Sequence, residues 1–303
     1  MPDPPSILAP AASGRARAFA SRLVSTVILL AMIGSALVFH LDWPWVVMVS
    51  LFGMLGTWEY VRLQRDDTRA RAYGNLLLLV SASYWVAAAW MGFRSRSMTL
   101  LPHEEAIPFW LDVVAVLVVM QGAFALTLFR PLEGERTLRR IMCAMLGFVF
   151  TTLTGGFFLR VLFHGANGAH LLLLVILVVK FSDIGAYIIG TWLGRHKMIP
   201  HISPAKSWEG FGGAFAGSCL AMAVYLLIAP TNITPLSWSH VIAFPVVLCL
   251  VGVIGDLAES VLKRCHQVKD TGHTLPGIGG ILDLTDSMLF ALPVAYFYLK
   301  LIS

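Results

Sequence analysis

The sequence predicts an all-α, polytopic membrane protein of about nine transmembrane helices with a cytoplasmic N-terminus. Three observations predict it. Of the 303 residues, 57% are hydrophobic and only 13% charged, against about a quarter charged in a soluble domain, and mean hydropathy is +0.77. Apolar runs long enough to cross a hydrocarbon core, about 20 residues each, recur along the whole length. Lysine and arginine fall almost wholly in alternate loops.

The runs lie at approximately 23–39, 44–61, 74–92, 109–129, 140–162, 170–190, 212–229, 240–262 and 283–302. Residues 1–22, rich in Pro, Ala and Arg, read as a flexible cytoplasmic tail. Arg15, Arg17 and Arg22 before the first run resemble a signal peptide, but the run reaches Phe39 without a small-residue cleavage site, so an uncleaved first helix is expected. Seventeen of the 22 basic residues lie in this tail or in the loops at 62–73, 130–140, 191–211 and 263–282. Only Arg94, Arg96 and Lys300 belong to the opposite side, and Arg160 and Lys180 fall inside spans. The asymmetry puts the N-terminus and the basic loops in the cytoplasm. It also favours an anionic membrane face, and not nucleic acid, as the partner of the net charge of +5. Residues 23–169 form an N-terminal region of five spans, and residues 170–303 a region of four spans to which the chemistry is assigned. Cys143, Cys219, Cys249 and Cys265 form no CxxC pair, which argues against a disulfide framework or a zinc site.

Charges inside a span are costly and call for an explanation. The sixth span carries Lys180 and Asp183; the eighth carries Asp256 and Glu259, followed by Ser260 and Lys263; the ninth opens with Asp283 and Asp286. These pairs are three or four residues apart and share a helix face. Because the sixth and eighth spans both run toward the cytoplasm, three helices offer carboxylates at one depth. Lys180–Asp183 and Glu259–Lys263 can be structural ion pairs, whereas Asp256, Asp283 and Asp286 have no base at helical spacing. Such an excess suits a divalent cation, magnesium by preference for oxygen ligands and phosphate. Two flanking loops, GRHKMIPHISPAKSWEGFGG (194–213) and KRCHQVKDTGHTLPGIGGILDLTDS (263–287), combine bases with glycines. Both precede helix N-termini, expected at about 212 and 283, and all three features favour anionic oxygens. GAFAG (213–217) reads as a helix-packing motif, Trp208 as an interfacial anchor, and Arg160 as a residue that snorkels at a span end.

A longer pattern now emerges. Ser260, Lys263-Arg264, Lys269-Asp270, Gly272-His273, Pro276-Gly277, Gly279-Gly280, Leu282-Asp283 and Asp286-Ser287 together resemble the signature of the phosphatidate cytidylyltransferase (CDP-diacylglycerol synthase) family. GDLAES (255–260), Asp183 with Ala186-Tyr187, and ISPAKSWEG (202–210) are similar to that family too. The likeness covers about residues 180–290; the first five spans are generic. Two positions depart from it. Where the family reads Pro-Gly-His-Gly-Gly this chain has Ile278 for the histidine, and where it reads Leu-Asp-Arg this chain has Leu284 for the arginine. Leucine cannot clamp an oxyanion as arginine does.

The resemblance implies a divergent member that makes CDP-diacylglycerol and pyrophosphate from CTP and phosphatidic acid. It implies Asp256, Asp283, Lys263 and Asp286 as catalytic residues. Asp256 and Asp283 lead the implied metal ligands, with Asp286 and Asp183 behind them. Ser203, Lys206, Arg264, Lys269, Asp270, Gly279 and Gly280 would bind substrate. The implied cofactor is Mg2+, as one or two divalent ions or with a second monovalent ion. Membrane lipids surround the chain, the implied assembly is a homodimer, and the implied location is the bacterial inner (plasma) membrane with the active site facing the cytoplasm. Two other readings stand beside this one. A membrane transporter of an anionic or cation-coupled substrate would carry its charges near the midplane, with internal repeats. A relative with a different lipid-phosphate acceptor would keep the same chemistry.

Overall fold

The computed structural model describes residues 34, 37, 39–64, 69–97, 105–233, 236–268, 270–272, 274 and 279–303. Among the described residues, eight helices are long and apolar enough to cross a membrane. They are α1 (Asp42–Leu63), α2 (Ala70–Ser97), α3 (Trp110–Leu128), a composite span, α6 (Gly168–Leu193), α7 (Trp208–Ile228), α8 (Ala243–Cys265) and α9 (Ile281–Ile302). The composite span joins α4 (Glu135–Gly147), a π-helical turn (Phe148–Leu153) and α5 (Thr154–Leu162). These are the second to ninth expected spans. The first, at 23–39, lies largely outside the described residues, as does the tail with Arg15, Arg17 and Arg22. The chain is a polytopic helical membrane protein. Its surface has the apolar character that lipid requires: Leu79, Val86, Leu128 and Leu227 are all exposed.

Two details differ from the sequence expectation. α7 begins at Trp208, not near 212, because Ser207 caps it, its Oγ accepting the Gly210 N–H at 3.1 Å. The loop before it holds a short antiparallel hairpin, β1 (Lys197–Ile199) with β2 (Ser203–Ser207), in which Lys197 faces Ser207 and Ile199 faces Ser203. The chain is thus helical but for this one hairpin among the described residues.

α9 is the central helix, with 61% of its membrane window buried, more than any other span among the described residues. The motif at 213–217 packs helices as expected. A Cβ on Gly213 would lie 2.5 Å from the Gly185 carbonyl oxygen, and one on Gly217 would lie 2.2 Å from that of Phe181. Only glycine permits α6 and α7 to approach this closely, and the contact sets the position of Asp183. On the other flank, the π-helical turn brings Thr151 and Thr152 into a buried hydroxyl cluster. Thr57 meets Thr151 at 2.9 Å, and Ser81 meets Thr152 at 2.7 Å. A widened turn frees backbone and side-chain groups for such contacts. The cluster fixes the rotation of α1 about its axis, which turns Glu59, two residues after Thr57, to the opposite side.

Arg160 does not snorkel. It is 2% exposed and donates to both Asp112 oxygens, at 3.0 and 2.9 Å, and to Tyr84 Oη at 3.1 Å. Its guanidinium also lies over the Phe109 and Phe157 rings, 4.8 and 5.1 Å from their centroids. The partner stands on α3, far away in sequence, so helical spacing gave no hint of the pair. Removing one member of such a pair strands a buried charge, at about 3–5 kcal/mol. Asp112→Ala is therefore expected to lower the thermal midpoint in detergent sharply. Asp112→Leu with Arg160→Met is expected to recover most of that loss, as read by unfolding followed through intrinsic fluorescence.

Candidate active site

The polar residues of α6, α8 and α9 converge as the sequence predicts. On α8, Asp256 and Glu259 lie one turn apart; α9 adds Asp286. These three carboxylates offer oxygens within 4.8 Å of one another. Asp183 on α6 is within electrostatic range of Asp256 and Asp286. Glu259 is fully buried and Asp286 nearly so, while the Asp183 and Asp256 side chains are 42% and 36% exposed. The cluster therefore has a buried floor and an open rim.

Bases from other elements supply part of the charge that helical spacing leaves missing. Lys206, at the end of β2, reaches Asp256 at 2.8 Å. Lys263 contacts Glu259 at 2.5 Å and crosses to Asp283 at 3.0 Å. Lys180 and Asp183 are 3.6 Å apart. The two pairs anticipated within helices both exist, and two unanticipated cross-helix pairs join them. Five carboxylates still face three ammonium groups, and the Glu259 oxygens receive no well-directed hydrogen bond. Buried carboxylates in this state favour an added cation.

Asp283 adjoins this group at Glu259, with which it shares the Lys263 ammonium. Besides Lys263, it accepts the Thr271 N–H at 3.1 Å and the Gly280 N–H at 3.2 Å. It thereby caps α9 and gathers the loop that precedes it. At the two helix N-termini expected to receive anions, Ser207 accepts the Gly210 amide of α7 and Asp283 the amide of Gly280, which precedes α9. Gly280 directs its N–H to Asp283, and a Cβ there would lie 2.5 Å from Thr271 Oγ1 and 2.9 Å from Glu59 Oε2. Gly279 has φ of 119°, a conformation that glycine adopts without strain.

The remaining expected binders are spread around the rim. Arg264 is exposed and donates from Nε to the Ile202 carbonyl at 3.3 Å, tying α8 to the hairpin. Ser203 is half-buried in the hairpin and Asp270 is exposed. Lys269, His273, Pro276, Gly277 and Ile278 lie outside the described residues.

Glu59 was missed by sequence reasoning. It sits on α1, in a region read as generic, yet it is 1% exposed and bonded to the signature loop. Its Oε2 accepts the Leu282 N–H at 2.8 Å, in the first turn of α9, and its Oε1 accepts the Thr274 hydroxyl. Gly272 also packs against it so closely that a Cβ would lie 2.5 Å from Oε1. The signal was present as an acid inside an apolar run. Arg62, three residues on, stacks on Trp58 at 4.0 Å.

A set of intramembrane carboxylates bridged by lysines, beside a glycine-rich loop, defines a membrane enzyme that handles phosphate groups. Residues 20–302 match the cytidylyltransferase family, and the chain belongs to that family. Among its relatives, the phosphatidate cytidylyltransferase of Bacillus subtilis is 29% identical over 262 residues, 86% of this chain and 90% of that protein. The phosphatidate cytidylyltransferase of Staphylococcus haemolyticus is 32% identical over 202 residues, 67% of this chain and 76% of that protein. That of Staphylococcus saprophyticus reaches 43% identity over 129 residues, a stretch spanning about half of either chain (43% and 48%).

Glu59→Ala would leave the Leu282 N–H and the Thr274 hydroxyl without an acceptor, at about 1–3 kcal/mol each. The backbone amides of Thr271, Gly272, Thr274 and Leu282 are expected to exchange with deuterium about tenfold faster or more in this variant, while those in α6 and α7 keep the wild-type rate.

Proposed function

We propose that the protein transfers CMP from CTP to phosphatidic acid, giving CDP-diacylglycerol and pyrophosphate, at the cytoplasmic face of a bacterial inner membrane. The observation that carries this reading is the convergence of Asp256, Glu259 and Asp286, flanked by Lys206 and Lys263, in a chain of this family. The relatives' shared name supplies the reaction.

An oxygen of the lipid phosphate attacks the α-phosphorus of CTP. The bond from that phosphorus to the bridging oxygen of the β-phosphate breaks, and pyrophosphate leaves. The phosphate monoester is largely ionised near neutral pH, so no strong base is needed. The difficulty is to bring two anions together, and catalysis rests on positioning and charge neutralisation. Lys206 and Lys263 supply positive charge on either flank of the acids. Arg264 at the rim is suited to the departing pyrophosphate, and Asp183 and Asp256 to the open side where substrate enters. The depth of the cluster suits the two substrates, one soluble and one held in the bilayer.

The donor set fits a magnesium ion. Asp256, Glu259 and Asp286 are all-oxygen ligands at mutual distances a single ion can bridge, with Asp183 as an outer contributor. When bound, the ion would neutralise and orient the phosphate oxygens. Asp283, held by Lys263 and two backbone amides, keeps α9 and its loop in place.

The test is transfer of labelled CMP to phosphatidic acid by the purified protein in lipid nanodiscs. Magnesium-dependent lipid product is expected, lost in EDTA and restored by magnesium. Asp256→Asn and Asp286→Asn are each expected to lower kcat by about 100-fold or more. A magnesium-independent product, or full activity in both variants, would overturn the reading of the site. Failure of phosphatidic acid with success of another lipid phosphate would replace the acceptor alone.

A further inference from the structure

Two unusual residues have no part in the transfer as described so far: Lys180 inside α6, and Leu284 where the family carries arginine. They touch. The Lys180 ammonium donates to the Leu284 carbonyl at 2.7 Å and lies within electrostatic range of Asp286. Helix α9 has no need of this contact, because a helical carbonyl already accepts the amide four residues on. Asp183 is a loose partner at 3.6 Å, and the Lys180 side chain remains 28% exposed. An intramembrane lysine held this loosely marks a substrate pathway more readily than a structural pin.

Depth identifies the substrate. α6 and α8 run in the same direction, as alternate spans must. Lys180 precedes Asp183 by one turn, whereas Lys263 follows Asp256 by two turns, about 10 Å along the axis. The cations therefore flank the acids from opposite ends. Lys263 and Arg264 stand on the loop side, where a soluble nucleotide arrives; Lys180 stands on the bilayer side, from which the lipid comes.

We propose that Lys180 binds the phosphate of the lipid acceptor, providing from α6 a cation beside the position at which the family carries arginine. The proposal rests on the reading that the chain acts on a lipid phosphate. An ammonium on a flexible stem suits a phosphate monoester as a point charge. It can exchange the Leu284 carbonyl for a phosphate oxygen without a change of backbone.

The experiment uses the full chain in nanodiscs and compares the wild type with Lys180→Met, Lys180→Gln, Lys180→Arg and the double variant Lys180→Met/Leu284→Arg. Thermal midpoints check folding, and Lys180→Gln, which keeps a donor for the Leu284 carbonyl, replaces the methionine variant if that one does not fold. Loss of the charge is expected to raise KM for phosphatidic acid about tenfold or more while KM for CTP stays within about twofold. Lys180→Arg is expected to keep most of the affinity, and Leu284→Arg to restore much of it in the double variant. A rise in KM for CTP instead, an unchanged KM for phosphatidic acid, or no rescue by Leu284→Arg would overturn the proposal. Binding of phosphatidic acid, measured against phosphatidylglycerol by native mass spectrometry, separates this failure from failure of the transfer reading. If no lipid is labelled but phosphatidic acid binds in a Lys180-dependent way, the lysine's role stands and the reaction falls. Binding indifferent to Lys180 removes the role whatever the activity.

Discussion

Lys263 joins the two helices that carry the chemistry, and the arrangement of the site depends on it. Its ammonium contacts Glu259 on its own helix at 2.5 Å and Asp283 on α9 at 3.0 Å. Charges removed from water must be paired, so this one cation fixes the separation and rotation of α8 against α9. Asp283, once held, accepts the amides of Thr271 and Gly280 and so ties the loop at Thr271 to the helix start. From α1, Glu59 secures the same loop at Leu282 and Thr274. Two carboxylates on helices distant in sequence thus hold Thr271, Thr274 and the start of α9 together.

What this bracing leaves over is the part to which the proposed reaction is assigned. Asp286 and Asp256 are not used to hold the loop, and Glu259 is buried without full compensation. In soluble protein such groups could draw on water. In a membrane span they need an ion or a substrate, and that need couples the stability of the cluster to its ligand. Glu259 links the two groups of acids: it touches Lys263, as Asp283 does, and also belongs to the group of three.

The spans were legible because hydropathy is a property of long windows and lipid demands it of every crossing helix. The acids of α8 and α9 were legible because a charge in such a window stands out. The assignment among them was less so. Sequence likeness ranked Asp283 with Asp256; in the fold Asp283 also caps α9, while Asp286 and Glu259 come together with Asp256, and the three-residue step around α9 that separates their surroundings is contained in no linear pattern. Pairings across helices were hidden for the same reason. Lys206 with Asp256, Arg160 with Asp112 and Glu59 with Leu282 are each distant in sequence. The hairpin of 197–207 was hidden by its basic, glycine-flanked composition, which reads equally well as a loop.

The claim on which the rest stands is that Asp256, Glu259 and Asp286 bind a divalent cation for which CTP is a further ligand. Binding of Mn2+, followed by electron paramagnetic resonance on the protein in nanodiscs with and without CTP, tests it most directly. Tight Mn2+ binding is expected, strengthened by CTP, and weakened about tenfold or more in Glu259→Gln and in Asp286→Asn. Mn2+ affinity unchanged in both variants, or no saturable binding at all with CTP present, would contradict it.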